Sequence, residues 1–494
     1  MKALLLLLAL LSPALGADKP NVLFLIVDDL KPTLGCYGDK LAITPNIDHL
    51  AARGLRFDLA FCNQAVCAAS RTALLLGSRP SSTGIHGLSR FLRDSIPDAV
   101  TLPQHFMANG YRVEGIGKIF HTGHGNKDDA ASWSVPWTPQ PVVEYRLPES
   151  TGGGRLTREE AFFTNQRLGD INALPRGAAI EIADVPDNAY GDGRTAELGI
   201  QRLQAAAKRA QPFFLVLGFA KPHLPFTAPR KYFAMHDKAK FFLPAYTKPP
   251  KDAPAVAGKK GGEITNYEPV PANGEVPDDL ARDLIHAYYA TASFTDAQIG
   301  KVLDELQNLG LEKNTIIVLW GDHGWHLGDH GIWTKHTNYE QANRIPLLMI
   351  APGVTQPGSA SREPAESVDI FPTLAELAGL PAPRGPQPID GLSLVPVLRE
   401  PAKILRDYAY HCYPRGKIMG RAIRTQRYRF VEWKLPGADP STAELELYDY
   451  ETDPLEMQNL AATQPEVVVQ LRAILARQPE ALMNPPKNGK PGNP

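Results

Sequence analysis

Four stretches of the chain are apolar at nearly every position: residues 22–27, 212–219, 315–320 and 345–350. Runs of this length with no polar alternation predict strands of a parallel sheet covered on both faces. Between them the pattern turns helical. Thr44 predicts a helix cap with Pro45 at the first helical position and Gly54 at the end. Residues 296–309 carry a helical period and stop at Gly310. Strands alternating with helices predict an α/β fold. Residues 230–280, rich in Pro, Lys and Gly, read as a long surface excursion, a kind of loop that is often functional. Beyond about residue 396 the texture changes. Residues 421–433 and 444–450 alternate like antiparallel strands, and 465–477 are helical. The pattern therefore predicts a main unit over 18–395, a smaller α+β subdomain over 396–484 and a disordered tail over 485–494. No internal repeat is present.

The first seventeen residues have a different character. Lys2 precedes an apolar run over 3–11, then Ser12, Pro13 and the small residues Ala14, Gly16 and Ala17. This pattern predicts a secretory signal peptide over 1–17, cleaved near Gly16 or Ala17; the run is too short to span a bilayer with comfort. No Asn-x-Ser/Thr acceptor occurs anywhere, which favours a bacterial periplasm or exterior over a lysosome. Cys36, Cys62, Cys67 and Cys412 are too few for a disulfide scaffold. Hydrophobic residues make up 43% and charged residues 21%, with a net charge of -1. That balance excludes a bulk basic field for nucleic acid, so any preference for anions must arise in a local pocket.

Polar clusters follow the predicted strands. Asp28 and Asp29 follow the first. Lys118 and His121 follow a strand expected at 112–116. Lys221 and His223 follow the next, and Asp322 and His323 the one after. In open parallel sheets ligands bind beyond the carboxyl ends of the strands, so the four clusters converge on one edge. Three gathered carboxylates raise one another's pKa unless a cation neutralises them, and oxygen ligands suit Ca²⁺ or Mg²⁺. Asp28 and Asp29 could equally cap the following turn. His323, His326 and His330 lack the zinc-binding His-Glu-x-x-His spacing. Gly115–Lys118 imitates a phosphate loop, but Arg112 stands where that motif needs glycine and Ile119 where it needs Ser or Thr. Residues 66–72 lead into an Ala/Leu-rich helix, whose N-terminus suits an anion and is expected to lower the pKa of Cys67. Cys67 reads as a thiolate nucleophile with His121 or His223 as base, or as a buried structural cysteine.

Cys-x-Ala-x-Arg at Cys67–Arg71 resembles the sulfatase motif, whose cysteine becomes Cα-formylglycine. Agreement with that family, its iduronate-type members above all, continues through Val27–Leu30, Leu34–Asp39, Gly117–His121, Lys221–His223, Asp322–Lys335 and Met419–Thr425. Ala69 stands where proline is most common, and His323 where many members have Asn. The resemblance implies an alkaline-phosphatase-like α/β domain with a central mostly parallel sheet covered by helices, plus the C-terminal subdomain. It implies one calcium ion (Mg²⁺ being possible), ligated by Asp28, Asp29, Asp322, His323 and the formylglycine at Cys67, which a formylglycine-generating enzyme would make. Arg71 and His121 would hold the formylglycine; Lys118, His223 and Lys335 would hold the sulfate. The implied reaction is hydrolysis of sulfate esters, 2-O-sulfate on uronic acid residues of a sulfated polysaccharide being the expected substrate. Substrate-reading residues are expected in 81–98 and 124–145, with Trp325 and Trp333 either a sugar platform or packing. The rivals are a phosphodiester or phosphonate monoester hydrolase of the same superfamily and a non-catalytic sulfated-glycan-binding protein.

Overall fold

The computed structural model describes residues 19–485; the predicted signal peptide and nearly all of the predicted tail lie outside the described residues. Seven strands form the main sheet: β1 (Asn21–Val27), β2 (Leu55–Phe57), β3 (Arg112–Gly117), β4 (Phe213–Phe219), β5 (Thr315–Gly321), β6 (Leu347–Ile350) and β7 (Ser359–Ser361). Their order is β7-β2-β6-β5-β1-β4-β3. β3, β4, β1 and β5 pair in parallel. β6 alone runs against its neighbours, which corrects the all-parallel reading of residues 345–350. The ladder of β6 begins only at Leu347, because Pro346 has no amide hydrogen to offer.

The unbroken apolar runs follow from burial on two sides. Phe24, Val216, Val318 and Trp320 enter one core; their sequence neighbours Leu25, Leu217 and Leu319 enter another on the opposite face. Helix α1 (Pro45–Arg53) lies where Thr44, Pro45 and Gly54 predicted it. Helix α2 is Cys67–Leu76 and α3 is Gly191–Ala206.

Helix α4 spans Asp278–Asn308, and only its second half was legible as periodic. From Ala287 to Asp296 every residue is buried. A helix covered all round shows no polar stripe, so its period vanishes from the sequence.

The 230–280 excursion is not a plain surface loop either. Ile264, Tyr267 and Val270 are fully buried and pack in a third core with Tyr288, Phe294, Trp325 and Trp333. Both tryptophans are therefore packing residues.

The C-terminal region forms a four-stranded antiparallel sheet, β8 (Tyr408–Arg415), β9 (Ile418–Thr425), β10 (Tyr428–Lys434) and β11 (Glu444–Asp449), backed by helix α5 (Pro465–Leu475). The short helix Val395–Arg399 still belongs to the main core through Val397 and Leu398. Among the described residues, no helix is long and apolar enough to cross a membrane.

Candidate active site

The carboxyl ends of β1, β3, β4 and β5 present the predicted clusters to one spot. Asp28 and Asp29 leave β1 in a turn that carries Asp29 at φ 57°, a left-handed conformation costly for most residues but more tolerable for Asp. Neighbours fix it. Asp29 N donates to Asp322 Oδ1 at 3.0 Å, and Tyr288 of α4 donates to the Asp29 carbonyl at 2.7 Å.

Helix α2 brings in Cys67 at its first position, with no side chain capping that end. Arg71 is one turn further on and therefore shares a face with Cys67. Its guanidinium is fully buried and reaches Asp322 Oδ2 at 2.9 Å, Asp28 Oδ1 at 3.1 Å and the Lys118 carbonyl. Ser70 Oγ donates to the Asp322 carbonyl at 2.5 Å. The helix that carries Cys67 is thus tied to the residue that follows β5 by two consecutive side chains.

Ligand atoms of Asp28, Asp29, Cys67 and His323 all lie within 4.8 Å of one another. His323 Nε2 is 3.1 Å from Cys67 Sγ and 3.5 Å from Asp322 Oδ2. Buried carboxylates with one imidazole form a donor set that fits a hard divalent cation. His326 bonds Thr337 and His330 bonds the Leu455 carbonyl; neither joins the cluster, so the three histidines do not form a zinc site.

The charges around the cluster decide its acid–base state. Burial alone would raise the Asp28 carboxyl, but Lys118 and Arg71 hold it well below the usual range. Burial and the neighbouring Asp28 raise Asp322. Lys118 Nζ contacts Asp28; Lys335 Nζ meets both Asp29 oxygens, at 3.2 and 3.1 Å, and Glu263 at 2.5 Å. The expected lowering of Cys67 does not occur. Burial, then Asp28, pushes its thiol up, because desolvation of a thiolate outweighs one helix end.

Two histidines are poised oppositely. The ring nitrogens of His223 face the Leu224 carbonyl at 2.5 Å and Glu263 at 2.9 Å. Both partners are acceptors, so the ring must donate twice and carry charge. Burial opposes this, yet Glu263 raises the imidazole to about 9. His121, by contrast, is held well below its ordinary value by burial and by Lys118; its Nδ1 has no partner. Such divergence within one site separates an acid from a base.

These groups line a cavity of about 220 Å³ that includes Cys67, His121, His223 and Lys335. Lys221 does not take part: its ammonium bonds the carbonyls of Val142, His223 and Pro225 and supports the loop from beneath. Sequence reasoning missed Glu263, Glu159 and Lys259, which line the same cavity as His124, the first residue of the segment 124–145 expected to read substrate. Glu263 and Lys259 sit in the 230–280 excursion, whose length was their only signal.

The sulfatase family model matches residues 20–380, and that of the N-sulphoglucosamine sulphohydrolase C-terminal region matches 328–481. Iduronate 2-sulfatase of Mus musculus is 34% identical, with 92% of this chain and 93% of that one covered. A protein solved with its substrate D-glucosamine-2-N,6-O-disulfate superposes with a TM-score of 0.72 at 21% identity, over 93% of this chain and 97% of that one. The phosphonate monoester hydrolase of Silicibacter pomeroyi gives 0.69 at 21%, over 93% and 94%. Fold, buried acidic cluster and family match agree: this chain belongs to the sulfatase family and is a sulfuric ester hydrolase.

Proposed function

We propose that the protein removes 2-O-sulfate from uronic acid residues of a sulfated polysaccharide, using a formylglycine at residue 67 and one Ca²⁺ ion. The observation that carries this reading is the pairing of a charged His223 with a neutral His121 in the cavity that holds Cys67. The likeness to iduronate 2-sulfatase supports the substrate class. Asp28, Asp29, Asp322 and His323 would hold the cation with residue 67. When bound, oxidised residue 67 supplies, as its hydrate, the hydroxyl that attacks sulfur, and the cation acidifies it and balances charge on the sulfuryl oxygens.

This chain's own side chains do the rest. Lys118 and Lys335 present fixed positive charge to the sulfuryl group, where preorganised electrostatics gives the largest return. His223 releases its Nε2 proton, shared here with Glu263, to the departing sugar oxygen. His121, neutral and with Nδ1 unpartnered, accepts the proton given up as sulfate leaves. Arg71 keeps the two carboxylates in register beneath residue 67. Maturation requires a formylglycine-generating enzyme, and the leader-like residues 1–17 support export to a bacterial periplasm or beyond.

Mass spectrometry of the residue 67 peptide, together with desulfation of a defined 2-O-sulfated uronate disaccharide, tests the reading. Formylglycine and released sulfate are expected. An intact thiol with no turnover would instead mark a sulfated-glycan-binding protein. The structural likeness to a phosphonate monoester hydrolase favours a second reading, a hydrolase of phosphate diesters or phosphonate monoesters. Faster turnover of an aryl phosphate diester than of an aryl sulfate would establish it.

A further inference from the structure

One cation in the active-site cavity has no counter-charge. Lys118 faces Asp28, and Lys335 faces Asp29 and Glu263. Lys259 lines the same cavity, is only partly exposed, and has no carboxylate within ion-pair distance among the described residues. The charged group beside it is another cation, Arg415, which together with burial pushes the Lys259 ammonium down. A half-buried ammonium next to a guanidinium is an unfavourable arrangement unless an anion joins it.

The placement of Lys259 is built, not accidental. Arg415, at the end of β8, donates to the carbonyls of Val256 at 3.3 Å, Gly258 at 3.4 Å and His336 at 2.5 Å. It thereby fastens the segment before Lys259 to the residue after Lys335. Four residues on, Glu263 ties the same loop to His223 and Lys335. Lys259 is held between these two anchors, at a boundary shared with a second cavity lined by Lys260, Gly274 and Tyr339.

We infer that Lys259 is a specificity-determining residue that binds a carboxylate on the sugar carrying the scissile sulfate. The sulfate itself has Lys118 and Lys335; a second anionic centre on the substrate is what Lys259 lacks. The nearby ring nitrogens offer no substitute charge, since burial holds His124 at about 4 and His336 at about 3. The inference rests on the proposed uronate substrate and names the residue that would select it.

The test uses the oxidised, calcium-loaded enzyme with three substrates: a 2-O-sulfated uronate disaccharide, its carboxyl-reduced counterpart and an aryl sulfate. The wild type should favour the uronate over the reduced sugar by about tenfold to a hundredfold in kcat/KM, the range spanned by one hydrogen bond between charged partners. In Lys259→Gln that ratio should collapse toward one through KM, and Lys259→Arg should recover much of it. Melting temperature confirms that the variants are folded. A Lys259→Gln enzyme that keeps the wild-type ratio overturns the role of Lys259 and leaves the uronate reading standing. A wild type that cleaves the aryl sulfate but shows no preference for the carboxylate overturns both.

Discussion

The strand-end cluster and the 230–280 excursion meet in one cavity but are built differently. At the strand ends, Asp28, Lys118 and Asp322 are placed by parallel ladders in fixed register, and Asp28 and Asp322 each follow a run of apolar residues committed to two cores. In the excursion, Lys259 stands in irregular chain and Glu263 opens a single short 3-10 turn, Glu263–Asn266. They owe their positions to partners far away in sequence: Arg415, His223 and Lys335. On the proposed mechanism the sheet edge carries the reacting groups, and the excursion carries groups that would tune and select. Rigid scaffolds with functional loops divide labour in this way.

Four outcomes would break or sharpen that contrast. The largest effect belongs to residue 67: Cys67→Ala should lower turnover of aryl sulfate by at least about 10⁴-fold. Cys67→Ser should accumulate a stable adduct heavier by one sulfuryl group in an intact-mass measurement, because a single hydroxyl cannot expel sulfate from its own carbon. Full multiple turnover by the serine enzyme would refute the mechanism.

Next comes Arg71→Gln, which strips the shared partner from Asp28 and Asp322. Breaking a fully buried ion pair costs roughly 3–5 kcal/mol, to be read from denaturant unfolding. A loss below about 1 kcal/mol would mean that the strand-end cluster is not held as argued. Third, removing calcium with a chelator should abolish activity and lower stability. Adding Ca²⁺ back to about a hundredfold above its Kd should restore about 2.7 kcal/mol, whereas no calcium-dependent shift would deny the cluster its ion.

The smallest effect tests the excursion. The proposed mechanism uses His223 in its protonated form, and against the pull of burial Glu263 raises its pKa to about 9. Activity should therefore hold below that value and fall as pH rises through it. In Glu263→Gln the largest charge opposing burial is gone and only Asp29 still raises the imidazole, so the basic limb should move down toward neutral pH, costing about tenfold at pH 8 relative to pH 6. An unmoved limb would assign it to another group.

Much of the strand-end half was legible in the sequence because burial on two faces writes itself as unbroken apolar runs, and topology then fixes where the next polar residue lands. Asp28, Asp29, His223, Asp322 and His323 were found that way, Lys118 from a less apolar strand expected at 112–116, and the family motif located Cys67 and Arg71. Lys221 shows the limit: it too follows a strand, but its side chain turns under the loop to meet carbonyls, and sequence position does not report side-chain direction. Glu263 and Lys259 escaped for a different cause. Nothing local distinguishes them from other charged loop residues, since their partners lie in β8 and near residue 335. The antiparallel sense of β6 was hidden as well, because a buried strand reads the same in either direction. The thiol of Cys67 was misjudged by weighing the helix end without the desolvation.

The seam beneath the cavity has a consequence for the integrity of the chain. Arg429 of β10 donates to the Asn338 carbonyl at 2.8 Å and to Glu456 at 2.7 Å, while Asn459 binds the Asp252 carbonyl at the root of the excursion at 3.0 Å. A polypeptide stopping at Lys434 would retain every residue assigned to metal, sulfate or proton transfer, yet Arg429 would lose its carboxylate and the excursion the tether at its root. Nonsense and frameshift lesions near the end of such a gene therefore disarm the catalyst without touching it.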